Sequence, residues 1–158
     1  MDGSGWPAIE AAAGNDVRVF GYWRRTAGAS PLYNANVYVE ENDWVSYTPT
    51  VTTQTGSITT LGAVSARYRR RGRTVEWFAS IAVTTNGTGA GDVRVTLPAG
   101  MSPITDAVGQ GREMQVNGNM LQALFLAATS FVTVNNYANA YPAADGCRLV
   151  LSGQYEIA

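Results

Sequence analysis

Apolar and polar residues alternate through most of the C-terminal part of the chain. In the longest stretch, residues 75–83, every second residue is apolar, and polar residues such as Glu76 and Ser80 lie between them. A period of two is typical of a β-strand with one face in the core and the other in solvent. We therefore predict a strand here, with Trp77 among its core residues.

The same period recurs before and after this strand. Residues 64–69 alternate in the same way, and the glycine-containing residues 70–73 predict a turn that joins the two strands into a hairpin. Residues 93–97 and 149–157 alternate again and predict two further strands. Residues 48–60 are rich in Thr and other β-branched residues, a composition typical of strands.

The apolar run after Asn117-Gly118 is consistent with two structures. Asn-Gly is a strong signal for a hairpin turn, here between residues 113–116 and residues 120–128. The apolar positions of 120–128 also fit one face of a helix, but the adjoining turn and the strand-like residues 131–134 favour strands. Roughly eight strands without room for crossover helices predict an all-β fold, an antiparallel β-sandwich that is jelly-roll-like.

Residues 1–43 follow a different pattern. Residues 7–13 would suit a short helix, because a proline opens the stretch and a glycine follows it. A short strand at residues 17–23 and a loop at residues 27–31 are predicted next. We interpret residues 1–43 as a short irregular segment for attachment or oligomerisation, and residues 44–158 as the β-sandwich domain.

The composition restricts the functions open to the chain. Hydrophobic residues make up 46% of the 158 residues and charged residues only 15%, so Thr, Ser, Asn, Gln and Gly must cover much of the surface. A net charge of −1 gives no reason to expect a nucleic-acid partner. The chain has no histidine, which excludes histidine-dependent triads and histidine-ligated metals.

The single cysteine and the lack of long apolar stretches exclude further classes. Cys147 has no partner for an intrachain disulfide, and its place before an apolar run predicts a buried structural thiol. No stretch reaches the apolar length of a membrane span, so we expect no membrane insertion. The first residues show no signal peptide. We expect no metal and no cofactor, since no loop of regularly spaced acidic residues is present.

Four short motifs follow one another between residue 44 and the C-terminus. They are residues 44–51 (WVSYTPTV), 68–75 (YRRRGRTV), 83–91 (VTTNGTGAG) and 151–155 (LSGQY). In this order they resemble the C-terminal receptor-binding domains of phage tail fibres and tail spikes. The resemblance implies a homotrimer at the tip of a virion fibre, joined to other tail or fibre proteins. It also implies a function outside the host cell, in which the tip binds a bacterial surface glycan or protein.

Two groups of residues could contact such a ligand. The first is the arginine cluster beside the hairpin turn, Arg67, Arg69 and Arg71. Guanidinium groups pair with phosphate and carboxylate, as on an acidic lipopolysaccharide or a neighbouring subunit. The alternative is a solvated hairpin face in which the arginines pair with Glu76.

The second group lies in one loop. Its members are Asn135, Asn136, Tyr137, Asn139 and Tyr141. Aromatic rings cover the C–H faces of sugars, and amide side chains bond to hydroxyl groups, so this composition suits an adaptable binding surface. The alternative is an ordinary connector, because Asn favours turns in any protein.

We expect binding and not catalysis. The acidic residues are scattered along the chain, and no catalytic residue can be assigned to them. A glycosidase would need two carboxylates across a cleft. The expected function is a non-enzymatic tail-fibre tip that recognises a bacterial surface structure. The alternatives are a structural decoration or adaptor protein of the virion, and a carbohydrate-binding module, which we would expect to be monomeric.

Overall fold

The computed structural model describes residues 43–158, which form strands and turns without a helix. Nine strands follow one another along this part of the chain. They are β1 (Val45–Tyr47), β2 (Val51–Thr55), β3 (Thr60–Arg71), β4 (Thr74–Thr85), β5 (Ala90–Thr96), β6 (Ala107–Glu113), β7 (Met120–Phe125), β8 (Phe131–Asn136) and β9 (Arg148–Glu156). Every pair of neighbouring strands is antiparallel, so the all-β prediction is confirmed.

The strands form one continuous sheet in the order β1-β3-β4-β9-β6-β7-β8-β5-β2. The edges are β1 and β2, but the sheet curls until its two ends approach one another. The Tyr47 hydroxyl on β1 donates a hydrogen bond of 2.9 Å to the carbonyl of Thr96 on β5, which pairs with β2. The two halves of the curled sheet enclose the core between them, as in the predicted β-sandwich.

The inner face of β4 is the centre of the core. Its alternating apolar residues from Val75 to Val83 are each at most 1% exposed, so the predicted alternation and the core position of Trp77 are confirmed. The inward residues of β5, β8 and β9 are buried as well. Each fully buried large side chain contributes about 1.5–3 kcal/mol relative to an exposed one, so the inner faces account for most of the stabilisation.

Phe125 on β7 packs between the two halves of the sheet. Its ring centroid lies 5.6 Å from that of Trp77 in an edge-on contact and 4.9 Å from that of Tyr155 in a stacked one. Glycines on the neighbouring strands leave room for the ring. A Cβ atom at Gly153 would lie 2.4 Å from Phe125 Cε2, and one at Gly109 would lie 3.0 Å from it. The inward face of β9 therefore carries a glycine where its alternation would otherwise place a large side chain.

The hairpin of β3 and β4 follows the sequence prediction closely. Arg71 pairs with Thr74, so two residues form the turn, and Gly72 adopts a φ of 60° there. Glycine takes this left-handed conformation without the steric cost that a side chain would bring.

Two predicted strands have other bounds in the structure: β2 is shorter than the expected residues 48–60, and the strand expected at residues 113–116 is replaced by β6 at Ala107–Glu113. Residues 48–60 do not form one strand, because β2 covers only Val51–Thr55. Pro49 before it cannot donate to a ladder, and Gly56 after it turns the chain with a φ of 68°. The strand expected to reach Val116 ends at Glu113, whose side chain bonds to the following loop. With these corrections the described residues hold nine strands where roughly eight were predicted.

The ambiguous apolar run at residues 120–128 is a strand. Leu121, Ala123 and Phe125 are buried, which is the period of two of β7, and the chain turns at Ala128 with a φ of 60°. Asn117-Gly118 lies in the β6–β7 connection of two paired antiparallel strands, but the connection is longer than predicted because residues 114–119 are not part of a strand. A helix would have needed burial at every third or fourth position, which the neighbouring strands do not provide.

Cys147 is a free thiol with no exposed surface, as predicted, and burial raises its pKa. The helix predicted at residues 7–13, the strand at 17–23, the loop at 27–31 and most of the segment 1–43 lie outside the described residues. In the part of the chain that the structure describes, there is no helix that could cross a membrane.

Candidate binding groove on the outer face

The outer face of the sheet consists of the strand residues whose side chains point away from the core. Strand register sets their side chains in rows across the sheet. In one row, Arg67 on β3 is beside Phe78 on β4, Phe78 is beside Ser152 on β9, and Ser152 is beside Gln110 on β6. Because the side-chain period is two, all of these side chains project to the same face.

The next row begins at the second arginine of the cluster. Arg69 pairs in register with Glu76, and Glu76 with Gln154. The two rows together border an open groove of about 530 Å³. Its lining consists of Trp44, Glu76, Trp77, Val108, Gly109, Gln110, Ser152, Gly153 and Gln154. Gly109 and Gly153 contribute backbone to its floor, since the Cβ atoms they lack would point inward toward Phe125.

Trp44 and Arg67 form one end of this region. The Arg67 guanidinium carbon lies 4.7 Å from the centroid of the Trp44 ring and 5.1 Å from that of Phe78. Contacts between a guanidinium and an aromatic face hold the cation in a defined orientation and contribute about 0.5–1 kcal/mol at exposed sites. Trp44 itself is 38% exposed.

Arg69 and Arg71 are held by Glu76. The Arg69 side chain bonds to Glu76 Oε2 through Nη2 at 2.5 Å and through Nε at 2.6 Å. Arg71 Nε lies 3.8 Å from Glu76 Oε1. The alternative interpretation, a hairpin face paired with Glu76, therefore describes these two arginines. It does not describe Arg67, which contacts rings.

The side chains of the second predicted group mainly stabilise their own loop. The Asn136 side chain accepts hydrogen bonds of 2.9 Å from the amides of Ala138 and Ala140. Asn139 adopts a φ of 58° and accepts a hydrogen bond from Gln122. These are the contacts of an Asn-rich turn.

Tyr141 and Asn135 connect this loop to its surroundings. The Tyr141 hydroxyl donates a hydrogen bond of 2.5 Å to Asn86 Oδ1, and burial raises the pKa of Tyr141 to about 12. Asn135 Nδ2 lies 3.5 Å from the carbonyl of Gly91, at the limit of hydrogen bonding. Only Tyr137 presents its ring to solvent, with 82% of its surface exposed.

The structure does not bring the two predicted groups together. Both Arg67 and Asn135 belong to the same outward row, but β4, β9, β6 and β7 lie between their strands. At about 4.8 Å per strand, five steps separate them by roughly 24 Å along the sheet. A small ligand can contact one group or the other, and the groove lies beside the arginines.

Sequence reasoning missed most of the groove. Gln110, Ser152 and Gln154 are exposed polar residues of strands, and nothing in their local pattern distinguishes them from other surface positions. The available signal was the odd or even position of each residue in its strand, which decides the face of the sheet to which its side chain points. Ser152 and Gln154 are outward residues of a predicted strand, whereas Gln110 belongs to β6, which the pattern did not predict, and the alignment of all three depends on pairings between distant strands.

The carboxylate with the most perturbed environment lies elsewhere, at Glu113 on the inner side of β6. It is fully buried and accepts hydrogen bonds from five backbone amides. The donors are Gln115, Val116, Asn117, Gly118 and Arg148. Burial by itself raises the pKa of a carboxyl, but these hydrogen bonds outweigh it and lower the pKa of Glu113 to about 2.

This arrangement makes Glu113 a structural residue. Its charge is used to close the β6–β7 connection, so it has no free oxygen to offer a substrate. Within residues 43–158, no three Cys, Asp or Glu side chains lie close enough together to hold a metal ion.

Two comparisons with known proteins found no match for this chain. No protein-family model matches the sequence, and no curated protein matches it significantly. The resemblance to phage receptor-binding domains therefore depends on the four motifs between residue 44 and the C-terminus.

Proposed function

We propose that this protein is the non-enzymatic receptor-binding tip of a phage tail fibre or spike, and that its groove contacts a bacterial surface structure. The observation that carries the proposal is the composition of the groove. Amide and hydroxyl side chains at Gln110, Ser152 and Gln154 line the groove together with Trp44, which is 38% exposed and whose ring also contacts the guanidinium groups of Arg67 and Arg69. An aromatic face beside hydrogen-bonding groups is the chemistry that saccharides require.

The position of these groups on strands supports binding. Strand residues are held by ladder hydrogen bonds on both sides, so a ligand loses little free energy to ordering the protein. β9 and β6, which supply the amide groups, lie inside the sheet and not at its edges. The groove is open and shallow, and such a shape can accept one segment of a long surface polymer.

The groove is poorly suited to hydrolysis. Glu76 is the one carboxylate among the residues that line it, and Arg69 holds Glu76 in a two-point ion pair. Glycoside hydrolysis needs a second carboxylate across the bond to be cleaved. This arrangement favours a binding function over an enzymatic one.

We place the protein on the virion as a homotrimer that acts outside the host cell and joins other tail or fibre proteins. The support is the order of the four motifs together with the confirmed sandwich fold. The described residues also expose large apolar side chains outside the groove lining, including Met114 (58%), Met120 (55%) and Val116 (50%). Exposed apolar side chains of this size are common where protein surfaces meet.

The test is staining of bacterial cells by the fluorescently labelled protein. We expect at least one strain from a taxonomically broad panel to be stained, and the double variant Gln110→Ala/Gln154→Ala to stain it at least tenfold more weakly. Arg112→Gln is the matched control, since it changes an exposed residue of β6 outside the groove lining. A protein that stains no strain would overturn the proposal, and staining that the double variant retains would exclude this groove as the binding site.

A further inference from the structure

The outer face beside the groove carries an excess of positive charge, although the whole chain has a net charge of −1. The outward charged residues of β3, β4 and β9 are four arginines (Arg67, Arg69, Arg71, Arg148) and two glutamates (Glu76, Glu156), a net charge of +2. A local positive potential on a nearly neutral protein favours an anionic ligand at this place.

Arg67 is the arginine of this cluster that has no carboxylate beside it among the described residues. Arg69 and Arg71 are paired with Glu76, whereas Arg67 has no ion pair within residues 43–158. The rings of Trp44 and Phe78 pack against its guanidinium. Guanidinium N–H groups lie in the plane of the group, so ring contacts on its face leave the N–H edge free to donate.

The neighbours of Arg67 are suited to the rest of a sugar. Trp44 contacts Arg67 and also lines the groove, so a ligand on the Arg67 edge would extend along Trp44 toward Ser152 and Gln110. Ser152 and Gln110 follow Phe78 in the same row of the sheet. Hydroxyl and amide groups at these positions can bond to sugar hydroxyls while the guanidinium binds a charge.

The number of available donors favours a carboxylate over a phosphate. A single guanidinium fork matches the two coplanar oxygens of one carboxylate. Phosphate, with more oxygens and a larger charge, is usually bound by several cations or by a cluster of backbone amides. Here Arg69 bonds to Glu76 at two points and Arg71 lies 3.8 Å from the same carboxylate, so Arg67 is the arginine of the cluster that stands alone as a single fork.

We infer that the groove binds a saccharide that carries a carboxylate, a sugar of the uronic-acid type, and that Arg67 receives the carboxylate. This inference rests on the proposed function and specifies the chemical class of its ligand. The surface polymer recognised would then be an acidic polysaccharide, with neutral hydroxyl contacts from Ser152 and Gln110.

The experiment is an NMR titration of the ¹⁵N-labelled full chain with sodium D-glucuronate and sodium D-galacturonate. The methyl ester of each sugar is the matched probe, since it keeps every hydroxyl and removes the charge. We expect the Trp44 indole resonance and the amides of Ser152 and Gln110 to shift. We also expect the acids to bind about tenfold more tightly than the esters, because charged hydrogen bonds are the stronger kind.

Variants assign the effect to Arg67. Arg67→Gln should abolish the preference for acid over ester, and Arg67→Lys should keep a reduced preference because it retains the charge but loses the planar fork. Arg112→Gln should behave as the wild type. Circular dichroism and the dispersion of the amide spectrum confirm that each variant is folded.

Four results would overturn the inference. Three of them are equal affinity for acids and esters, a preference that survives Arg67→Gln, and no binding of either acid at millimolar concentrations. Tighter binding of glucose 6-phosphate than of the uronates would also overturn it, in favour of a phosphate site. Cell staining that persists while the acid preference fails leaves the proposed function standing, whereas loss of all cell staining removes the function itself.

Discussion

Replacing Glu113 by Gln should destabilise the protein in a way that depends strongly on pH. The side chain is fully buried, and its two oxygens accept hydrogen bonds from five backbone amides of the β6–β7 connection and of β9. Gln keeps the shape but removes the charge, and it replaces one acceptor by an NH₂ group that faces N–H donors. The connection then loses acceptors that solvent cannot replace.

The size of the effect follows from the pKa. Glu113 has a pKa of about 2 in the folded protein, against an ordinary value of 4.5. Each pKa unit is worth about 1.4 kcal/mol, so ionised Glu113 contributes about 3 kcal/mol to the free energy of unfolding at neutral pH. Because the folded pKa is the lower one, this contribution is fully present above pH 4.5. It is lost as the pH falls from 4.5 through about 2.

The assay is urea unfolding followed by tryptophan fluorescence at several pH values between 7 and 2.5. The free energy difference between wild type and Glu113→Gln should be about 3 kcal/mol at pH 7 and should fall below about 1 kcal/mol at pH 2.5. Glu156→Gln is the control, since that side chain is half exposed and lies 3.5 Å from Arg73. It should change stability by less than about 1 kcal/mol at any pH.

Two results would refute this reasoning. A penalty for Glu113→Gln that is the same at pH 2.5 as at pH 7 would show that the charge of the carboxylate is not what stabilises the connection. A penalty below about 0.5 kcal/mol at neutral pH would show that the five hydrogen bonds are replaced by solvent as the chain unfolds at no net cost.

Further measurements test the core and the assembly. Gly153→Ala places a Cβ 2.4 Å from Phe125 Cε2 and should lower the free energy of urea unfolding by about 1–3 kcal/mol; an unchanged midpoint would contradict the tight contact. Tyr47→Phe removes the hydroxyl that accepts the 2.6 Å hydrogen bond from Trp77 Nε1 and should lower the free energy of unfolding by about 1–3 kcal/mol. The control Tyr137→Phe changes a side chain that is exposed to solvent and should leave the free energy of unfolding unchanged. Equal effects of the two substitutions would contradict the role of the Tyr47 hydroxyl. Light scattering should give a mass about three times the chain's 16.8 kDa, and a monomer would contradict the proposed homotrimer.

The candidate site shows which of its features the local sequence pattern could predict. The arginines were predicted as a group because they are adjacent in sequence, and β3 does place Arg67, Arg69 and Arg71 on one face. The sequence pattern could not predict which of these arginines would form an ion pair and which would contact an aromatic ring. Arg69 meets both Glu76 and the Trp44 ring, whereas Arg67 meets rings and no carboxylate among the described residues. These contacts depend on register with β4 and on the position of Trp44 beside the edge strand β1.

For the loop at residues 135–141, composition alone could not decide between the two interpretations. Its Asn and Tyr content fits both a binding surface and an ordinary turn, because the same amide groups can bond to a ligand or to the backbone. In the structure, Asn136 and Asn139 use their side chains within the loop and Tyr141 bonds to Asn86. The choice depends on what the surrounding strands place within reach.

The sequence by itself determined most of the longer strands of this protein, since alternation with a period of two is a local property that each strand carries alone, but it did not predict β1 or most of β6. It determined the inward face of β4 and the turn at Gly72 for the same reason. Only the tertiary structure decided which strands are neighbours, how the sheet curls, and therefore which outward residues share the groove. It also decided that Glu113, one acidic residue among twelve, is buried beneath five amides. These features depend on contacts between residues far apart in the chain, and a period of two carries no information about distant partners.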